Sequence, residues 1–171
     1  ELTCAISGKQ TGKIVLLATG TKHRKLGVPG EEEFYGKGVT YCATCDGMFY
    51  KDKVVAIVGA GDSATEAALY LSDICPKVYV FVRKPHFRAQ PILVEQVMAK
   101  KNIVVEFETE LAEIRGEEKV SSVLLKSGEI RELEGIFMEI GADPLTELAS
   151  GLGVELDKQK FIKVDTGQRT D

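Results

Sequence analysis

The sequence predicts an α/β fold in three layers, in which a parallel sheet built from a βαβ unit is combined with an antiparallel β-meander. Over residues 54–82, two apolar runs of strand length, KVVAIV and KVYVFV, flank a segment with helical periodicity. Beyond it, short apolar runs are separated by polar turns such as RGEEK and KSGE, which is typical of antiparallel strands. The 171 residues suffice for one domain with a core, plus fragments of another.

The segment before the βαβ unit predicts one buried strand and a long connection. KIVLLATG, residues 13–20, is an apolar run ended by glycine, as expected of a buried strand that enters a turn. The eighteen residues that follow, 21–38, contain five glycines and prolines. This composition indicates a connection and a candidate domain boundary.

The βαβ unit is followed by a second helix. Its own helix is predicted to begin at Asp62, which we expect to cap the helix, and its apolar face recurs at Ala64, Ala67, Ala68 and Leu71. After the strand over 77–82, PILVEQVMAKKN at 91–102 predicts a helix with two lysines in its last turn and an asparagine stop.

The remaining segments predict an antiparallel meander that leads to a last buried strand. NIVVEFETELAEI begins the meander at residue 102, KVSSVLLKSGEIRELEG continues it, and residues 136–140 form the last strand. The tail, FIKVDTGQRTD, is expected to add one more short strand.

Composition and charge exclude several classes of function. The net charge of −4 argues against a general nucleic-acid binder, which needs a basic face. No apolar run approaches the ~18 residues of a membrane span, so we expect no membrane association. Four cysteines are too few for a disulfide scaffold, and a CxxC pair among them indicates redox or metal chemistry in a reducing compartment. We therefore expect a cytoplasmic protein.

A glycine turn between the first strand and helix of the unit predicts a Rossmann-like dinucleotide site. Residues 59–64, GAGDSA, fit the pattern G-x-G-x-x-A. Gly59 permits the tight turn, Gly61 lets a pyrophosphate approach the backbone, and Ala64 keeps the helix near the sheet. The strand before and the helix after it supply the expected context, with the helix N-terminus offering N–H groups to phosphates. The alternative is a tight turn that binds no ligand.

The residues after the second strand of the unit favour NADP over NAD. An NAD site usually places an acid about 20 residues after the glycines, to hold the ribose 2′-hydroxyl. This chain has Arg83, Lys84, His86 and Arg88 there instead. A guanidinium grips a 2′-phosphate, whereas a carboxylate repels it. The alternative is a solvated basic loop.

The cysteine pair Cys42 and Cys45 has three interpretations. CxxC spacing permits a redox disulfide. The second interpretation is that the pair forms half of a zinc site. Zinc needs four ligands, and no other cysteine or histidine of the sequence is paired at ligand spacing, so we expect no metal. Unrelated structural cysteines are the third. Asp46 follows at once and is either a proton relay for thiol chemistry or an ordinary turn residue before glycine.

Together these motifs resemble the central part of bacterial-type (low molecular weight) thioredoxin reductases. CATCDG, VGAGDSATEAALYL and VRKPHFRA match the order and spacing of that family, and ATG at 18–20 with GVPGE at 27–31 matches its approach segment. A CxxCD directly before an NADP-type glycine turn is not a general feature of Rossmann folds.

The resemblance implies an enzyme that passes electrons from NADPH through FAD to a disulfide and on to thioredoxin or a thioredoxin-like protein. In such enzymes the domain that carries both NADPH and the disulfide rotates between two orientations. By position, Cys45 would face the flavin, Cys42 would attack the partner disulfide, and Asp46 would be the acid/base. The resemblance assigns the nucleotide lining to Gly59, Gly61, Asp62, Ser63, Ala64 and Glu66, the 2′-phosphate to Arg83, Lys84 and Arg88, and closure over the dinucleotide to Ile140 and Gly141.

The chain departs from the family pattern in two ways. The basic motif usually begins His-Arg-Arg, whereas this chain has Val-Arg-Lys at 82–84, which weakens the preference for NADP and leaves NADH open. The family's N-terminal FAD-binding glycine motif and C-terminal FAD segment are missing. We therefore expect residues 25–141 to be the NADPH domain and 1–24 and 142–171 to be remnants of a FAD domain, unable to hold FAD well alone.

The resemblance also implies a homodimer in the full-length protein, and two other functions stay open. One is an NAD(P)H-dependent reductase of a peroxiredoxin-type partner, which shares the same module. The other is a non-catalytic dinucleotide-binding module in which the cysteine pair is a redox switch or a zinc clip.

Overall fold

The computed structural model describes residues 2–4 and 6–170. In chain order the strands of the described residues are β1 (Leu2–Cys4), β2 (Gly8–Gln10), β3 (Thr21–His23), β4 (Val39–Thr40), β5 (Val54–Val58), β6 (Lys77–Val82), β7 (Ile103–Phe107), β8 (Leu111–Gly116), β9 (Val120–Leu125), β10 (Ile130–Glu132), β11 (Gly135–Met138) and β12 (Ala142–Pro144). The α-helices are α1 (Ala43–Asp46), α2 (Asp62–Ser72), α3 (Pro91–Ala99) and α4 (Glu147–Gly151), and a 3₁₀ turn, Gly47–Tyr50, follows α1.

A five-stranded parallel sheet with the order β4-β11-β5-β6-β7 forms the centre of the fold. The segment β5–α2–β6 is the predicted βαβ unit, and each of its strands is within a residue of the expected bounds. All four neighbouring pairs are parallel, so the carboxyl ends of the strands meet at one edge of the sheet. In such sheets this edge is where ligands bind.

Both faces of the parallel sheet are buried, which makes three layers. Val55 and Ile57 of β5 pack with the apolar face of α2, in one hydrophobic cluster. Ala56 and Val58, the residues between them, pack in a second cluster with the antiparallel sheet β10-β9-β8. Since successive side chains of a strand point to opposite faces, one continuous apolar run serves both layers. The predicted α/β class with a parallel sheet and antiparallel strands is confirmed.

The position of β7 corrects the predicted meander. Its residues were expected to begin the antiparallel strands, but β7 pairs with β6 in parallel, from Val78↔Ile103 to Val82↔Phe107. The reason is the connection: the helix α3 lies between β6 and β7, and a helical crossover returns the chain parallel to the strand it left. The meander thus contains β8, β9 and β10, and the last strand, β11, ends at Met138 rather than at residue 140.

The helix α3 ends at Ala99, before the two lysines expected in its last turn. Lys100 has an extended backbone, with φ −77° and ψ 124°. Just beyond, the side-chain amide of Asn102 donates hydrogen bonds to the carbonyls of Ser72 and Cys75, at 2.7 and 3.0 Å. These contacts with the end of α2 hold the chain in place for β7.

Two predicted strands outside the sheet were wrong. Residues 13–20 are irregular and almost entirely exposed. Within the part of the chain that the structure describes, no strand pairs with them, and a strand without a neighbour leaves its backbone groups to water. In the tail, the expected strand is reduced to a single bridge between Leu156 and Ile162. Two short elements, β12 and α4, lie where no regular structure was predicted.

The described residues divide into two compact units. One contains those of 1–22 and 142–171, and the other is His23–Gly141, which holds the parallel sheet and the meander. The first unit carries the hairpin β1–β2 and exposes large apolar side chains, with Ile6, Ile14 and Leu16 at 98%, 91% and 89%. Among residues 2–4 and 6–170, no helix has the length and hydrophobicity needed to cross a bilayer.

Candidate functional site

The cysteine pair lies on the short helix α1, directly after β4. Cys42 and Cys45 form a disulfide, with their Cα atoms 5.3 Å apart, which confirms the redox-disulfide prediction. Cys42 has an extended backbone and is the N-cap of the helix, and its sulfur accepts the N–H of Cys45 at 3.2 Å. Cys45 is exposed and Cys42 is partly buried, so the two sulfurs have different access to a reaction partner.

Asp46 is held at the other end of the same helical turn. Its carboxylate accepts the hydroxyl of Thr40, and that hydroxyl oxygen accepts the N–H of Cys42 at 3.3 Å. The N–H of Asp46 donates to the carbonyl of Cys42 at 3.1 Å. The strand β4, the first cysteine and the acid therefore form one hydrogen-bonded unit.

Within residues 2–4 and 6–170, no group of three or more His, Cys, Asp or Glu side chains is arranged to hold a metal ion. The two sulfurs that a zinc clip would need are bonded to each other.

The glycine turn has the geometry that its pattern predicts. A Cβ added at Gly59 would lie 2.3 Å from the carbonyl oxygen of Glu139 and 2.8 Å from the Cβ of Ala64, so only glycine fits between β11 and α2. A Cβ added at Gly61 would meet nothing within 4 Å. Gly61 thus opens onto free space at the start of α2, and Ala64 is fully buried against the sheet.

The predicted capping role of Asp62 is wrong. Gly61 is the N-cap residue of α2, and Asp62 is the first helical residue. The Asp62 carboxylate accepts instead the backbone N–H of Gln90 at 2.8 Å. This bond ties α2 to the start of α3, and it leaves the N–H groups of the first turn without a side-chain cap.

A basic cavity of about 510 Å³ lies at the carboxyl edge of the parallel sheet, within the unit 23–141. It brings together five of the predicted residues, namely Gly59, Arg83, Lys84, Arg88 and Ile140. Its other charged lining residues, which the sequence did not single out, are Arg24, Lys25, Glu110, Lys126 and Glu139. The lining contains six cationic and two acidic side chains. This excess of positive charge makes the cavity suitable for a polyanion.

The three predicted cations are well placed to receive an anion. Among the described residues, the side chains of Arg83, Lys84 and Arg88 make no hydrogen bond or ion pair. The backbone N–H of Arg88 donates to the carbonyl of Ala60 at 2.7 Å, which fixes the basic loop beside the glycine turn. Three cations whose side chains have no partner among the described residues thus lie beside a glycine turn.

Ile140 and Gly141 follow β11 at the same edge. Gly141 has φ +93°, and its carbonyl accepts the N–H of Arg24 at 3.0 Å. Ile140 lines the basic cavity, whereas Gly141 does not.

A second cavity, of about 290 Å³, connects the disulfide with the first turns of α2. Its lining includes Cys42, the N-cap residue of α1, and Thr44 of the same helix. Ser63 and Glu66 of α2 line it as well. Glu139 lines this cavity and also the basic one. The predicted residues Gly61, Asp62, Ala64, Cys45 and Asp46 line neither cavity.

Glu139 is a candidate site residue that the sequence prediction missed. Burial raises the pKa of its carboxyl to about 6, and a hydrogen bond from the backbone N–H of Ala43 acts in the opposite direction. The available signal was its place directly after a buried strand of the parallel sheet, at the ligand-binding edge.

Glu31 is a second acid that the sequence prediction missed, and it is only 1% exposed. Its carboxylate accepts the N–H groups of Leu26 and Gly27 at 2.9 and 2.6 Å, and the hydroxyl of Tyr41 at 2.8 Å. Burial, together with this carboxylate, raises the pKa of Tyr41. Glu31 thus anchors residues 26–27 to the residue that precedes Cys42.

Comparison with known proteins gives a consistent result. Residues 4–171 match the family model described as pyridine nucleotide-disulphide oxidoreductase. The thioredoxin reductase of Treponema pallidum (strain Nichols) is 44% identical over 169 residues, which cover 96% of this chain and 54% of that protein. The thioredoxin reductase of Streptomyces coelicolor is 40% identical over 158 residues, with 90% and 49% covered.

A solved structure agrees with these relatives. The crystal structure of Lactococcus lactis thioredoxin reductase in its FR conformation is similar with a TM-score of 0.80 and 38% identity, over 90% of this chain and 52% of that one. The chain therefore spans about half the length of the proteins that it matches.

Proposed function

The chain belongs to the pyridine nucleotide-disulphide oxidoreductase family, and from this premise we propose that it is the NADPH-binding, disulfide-carrying portion of a thioredoxin-disulfide reductase that uses FAD. One observation carries the proposal: the cavity beside the disulfide is lined by Cys42 together with Ser63 and Glu66, from the helix that follows the glycine turn. Nucleotide site and sulfur couple thus share one compact unit, as an electron relay between them requires.

The basic cavity and the glycine turn beside it fit NADPH. Gly61 leaves room for the pyrophosphate at the N-terminus of α2, and Arg83, Lys84 and Arg88 provide the positive charge for a 2′-phosphate. Asp62 is tied to Gln90, so its carboxylate holds the turn in shape and does not fill the phosphate position. Bound there, NADPH would supply the electron pair for the reaction.

The proposed sulfur chemistry follows the roles that the family resemblance implies for the two cysteines. Two electrons and one proton break the Cys42–Cys45 bond and give one thiol and one thiolate. We assign the attack on the partner's disulfide to Cys42, which forms a mixed disulfide that Cys45 then resolves. Asp46, held by Thr40, would supply or receive the proton in these steps.

The surface beside the disulfide supports the proposal of a protein partner. Met48 and Phe49, in the 3₁₀ turn after α1, are 60% and 75% exposed. Apolar side chains exposed next to a reactive group are typical of a docking site. We assign thioredoxin or a thioredoxin-like protein to it.

The FAD site belongs, in this proposal, to the full-length protein. The chain spans about half the length of its relatives. The unit made of residues 1–22 and 142–171 exposes large apolar side chains such as Ile14 and Leu16. We propose that residues 1–24 and 142–171 are parts of a FAD-binding domain whose remaining residues cover these side chains, in a cytoplasmic homodimer.

The test uses the full-length protein that contains this chain, purified with FAD. We expect Cys42→Ser to abolish thioredoxin reduction by NADPH, while bleaching of the flavin by NADPH continues. Cys75→Ser is the control, because Cys75 is buried away from both cavities and should leave both activities unchanged. Loss of flavin bleaching in Cys42→Ser would contradict the role of Cys42, and an unaffected thioredoxin reduction would refute the proposed function.

A further inference from the structure

An ion pair lies on the wall of the basic cavity, beside the three cations assigned to the 2′-phosphate. Nζ of Lys126 donates to Oε2 of Glu110 at 3.2 Å, and both residues line the cavity. Lys126 follows β9 and Glu110 precedes β8, so the pair belongs to the meander and not to the βαβ unit. Neither residue is among the charged residues that follow the glycine turn in the βαβ unit.

Backbone hydrogen bonds fix this pair next to the basic loop. The N–H of Thr109 donates to the carbonyl of Val82 at 3.1 Å, and that of Glu108 to the carbonyl of Lys84 at 3.4 Å. The N–H of Lys126 donates in turn to the carbonyl of Glu110 at 2.8 Å. The pair is thus connected to the basic loop through short, local contacts.

The carboxylate of Glu110 is chemically unsuited to a 2′-phosphate site when it is not neutralised. A carboxylate at this part of a dinucleotide site accepts a ribose 2′-hydroxyl, and it repels the dianion that replaces the hydroxyl in NADP. The cavity therefore holds both determinants: an acid that suits NADH, and the cations Arg83, Lys84 and Arg88 that suit NADPH.

We propose that the Glu110–Lys126 pair sets the nucleotide preference of this cavity, with Lys126 neutralising Glu110 so that a 2′-phosphate is accepted. This inference rests on the proposed function, since it needs a pyridine nucleotide in the basic cavity. It also bears on the departure of the basic motif from His-Arg-Arg, because a neutralised Glu110 does not offset the charge of Arg83, Lys84 and Arg88. The pair is a specificity determinant and touches none of the sulfur chemistry.

The pair should matter little for stability, which makes it suitable for mutation. The side chains of Lys126 and Glu110 are 61% and 44% exposed, and exposed ion pairs contribute little to folding. Each charge acts on a bound dianion, and the two act in opposite directions, so the loss of either one leaves the other uncompensated. At low ionic strength we expect the loss of one charge to change affinity by about three- to tenfold.

The experiment measures calorimetric binding of adenosine 2′,5′-bisphosphate and of 5′-AMP to the full chain at low salt. Lys126→Met should weaken the bisphosphate by about three- to tenfold, and Glu110→Gln should strengthen it by a similar factor, with 5′-AMP unchanged within about twofold. The double variant restores the local charge and should return close to the wild type. Lys100→Met and Asp73→Asn, which break an exposed pair outside the cavity, are the matched controls.

The outcomes separate the inference from the function on which it rests. Opposite shifts in the two single variants that cancel in the double variant support the pair. Shifts in the same direction, equal shifts for both ligands, or shifts no larger than in the controls overturn the inference, even though the wild type binds nucleotide. A folded wild type that binds neither ligand refutes the nucleotide site itself, and the inference with it.

Discussion

Glu139, the residue directly after strand β11, lies where the backbone N–H of Ala43, the first residue of the disulfide helix α1, favours the charged form of its carboxyl. Glu139 also lines both cavities. One acid thus connects the sheet edge, the glycine turn and the disulfide.

This position predicts a pH-dependent stability. Burial raises the pKa of Glu139 from 4.5 to about 6, so the folded chain binds this proton more tightly than the unfolded chain. The free energy of unfolding therefore falls as the pH rises from below 4.5 through 6. The shift corresponds to about 2 kcal/mol, which we reduce to about 1 kcal/mol because the carboxyl is only half buried.

We expect Glu139→Gln to be about 1 kcal/mol more stable than the wild type at pH 7.5, and equal to it near pH 4. Urea unfolding followed by circular dichroism measures the difference. Glu134→Gln, at an exposed position directly before β11, is the control. A Glu139→Gln variant that is less stable than the wild type at pH 7.5 would contradict the burial argument.

The two glycines of the turn should have separable effects. Gly59→Ala places its Cβ 2.3 Å from a backbone oxygen and should destabilise the chain by about 2–3 kcal/mol. Gly61→Ala has open space within 4 Å, so its stability should be unchanged while its nucleotide affinity falls about tenfold, since the methyl group occupies the phosphate position. Thermal unfolding and calorimetry measure the two effects. Equal stability of both variants would refute the close packing inferred at Gly59.

Removal of one guanidinium should discriminate between nucleotides. We expect Arg83→Met or Arg88→Met to weaken adenosine 2′,5′-bisphosphate about tenfold and 5′-AMP by less than about twofold. Arg115→Met serves as the control, because Arg115 pairs with Glu113 and does not line the basic cavity. An equal loss for both ligands would show that the loop does not hold the 2′-phosphate.

The hydrogen bond from the Tyr41 hydroxyl to the buried carboxylate of Glu31 should contribute to the free energy of unfolding. Tyr41→Phe removes a donor to Glu31 and should cost about 1–2 kcal/mol, since a buried carboxylate loses one of its three partners. Tyr35→Phe, at a 65% exposed side chain, should change the unfolding free energy by less than about 0.5 kcal/mol. Chemical denaturation of both variants compares them, and similar values would argue against the anchoring role of Glu31.

The sequence predicted those parts of the fold that local patterns determine. The unit β5–α2–β6 is one continuous pattern of apolar periodicity and glycine, and it forms as expected. The strand expected over 13–20 does not form, because a strand depends on a neighbour that periodicity does not reveal. The helix α1 was not predicted either, since four residues are too few to show a helical period.

The site was predictable to the same extent. Gly59 and Arg83 follow neighbouring parallel strands, so their meeting in one cavity follows from the sheet itself. Glu110 and Lys126 reach that cavity through the fold of the meander, and no spacing in the sequence indicates their approach.

The alternation in β5 has a consequence for how the chain finds its alignment. Because Val55 and Ile57 enter one hydrophobic cluster while Ala56 and Val58 enter the other, a slip of this strand by one residue exposes no polar group and buries none. Volume distinguishes the two alignments: the small Ala56 would exchange layers with the large Ile57, leaving a void on one side and a clash on the other. Correct pairing of this strand is therefore selected by steric fit, so Ala56→Ile combined with Ile57→Ala would place the void and the clash in the native alignment while conserving composition.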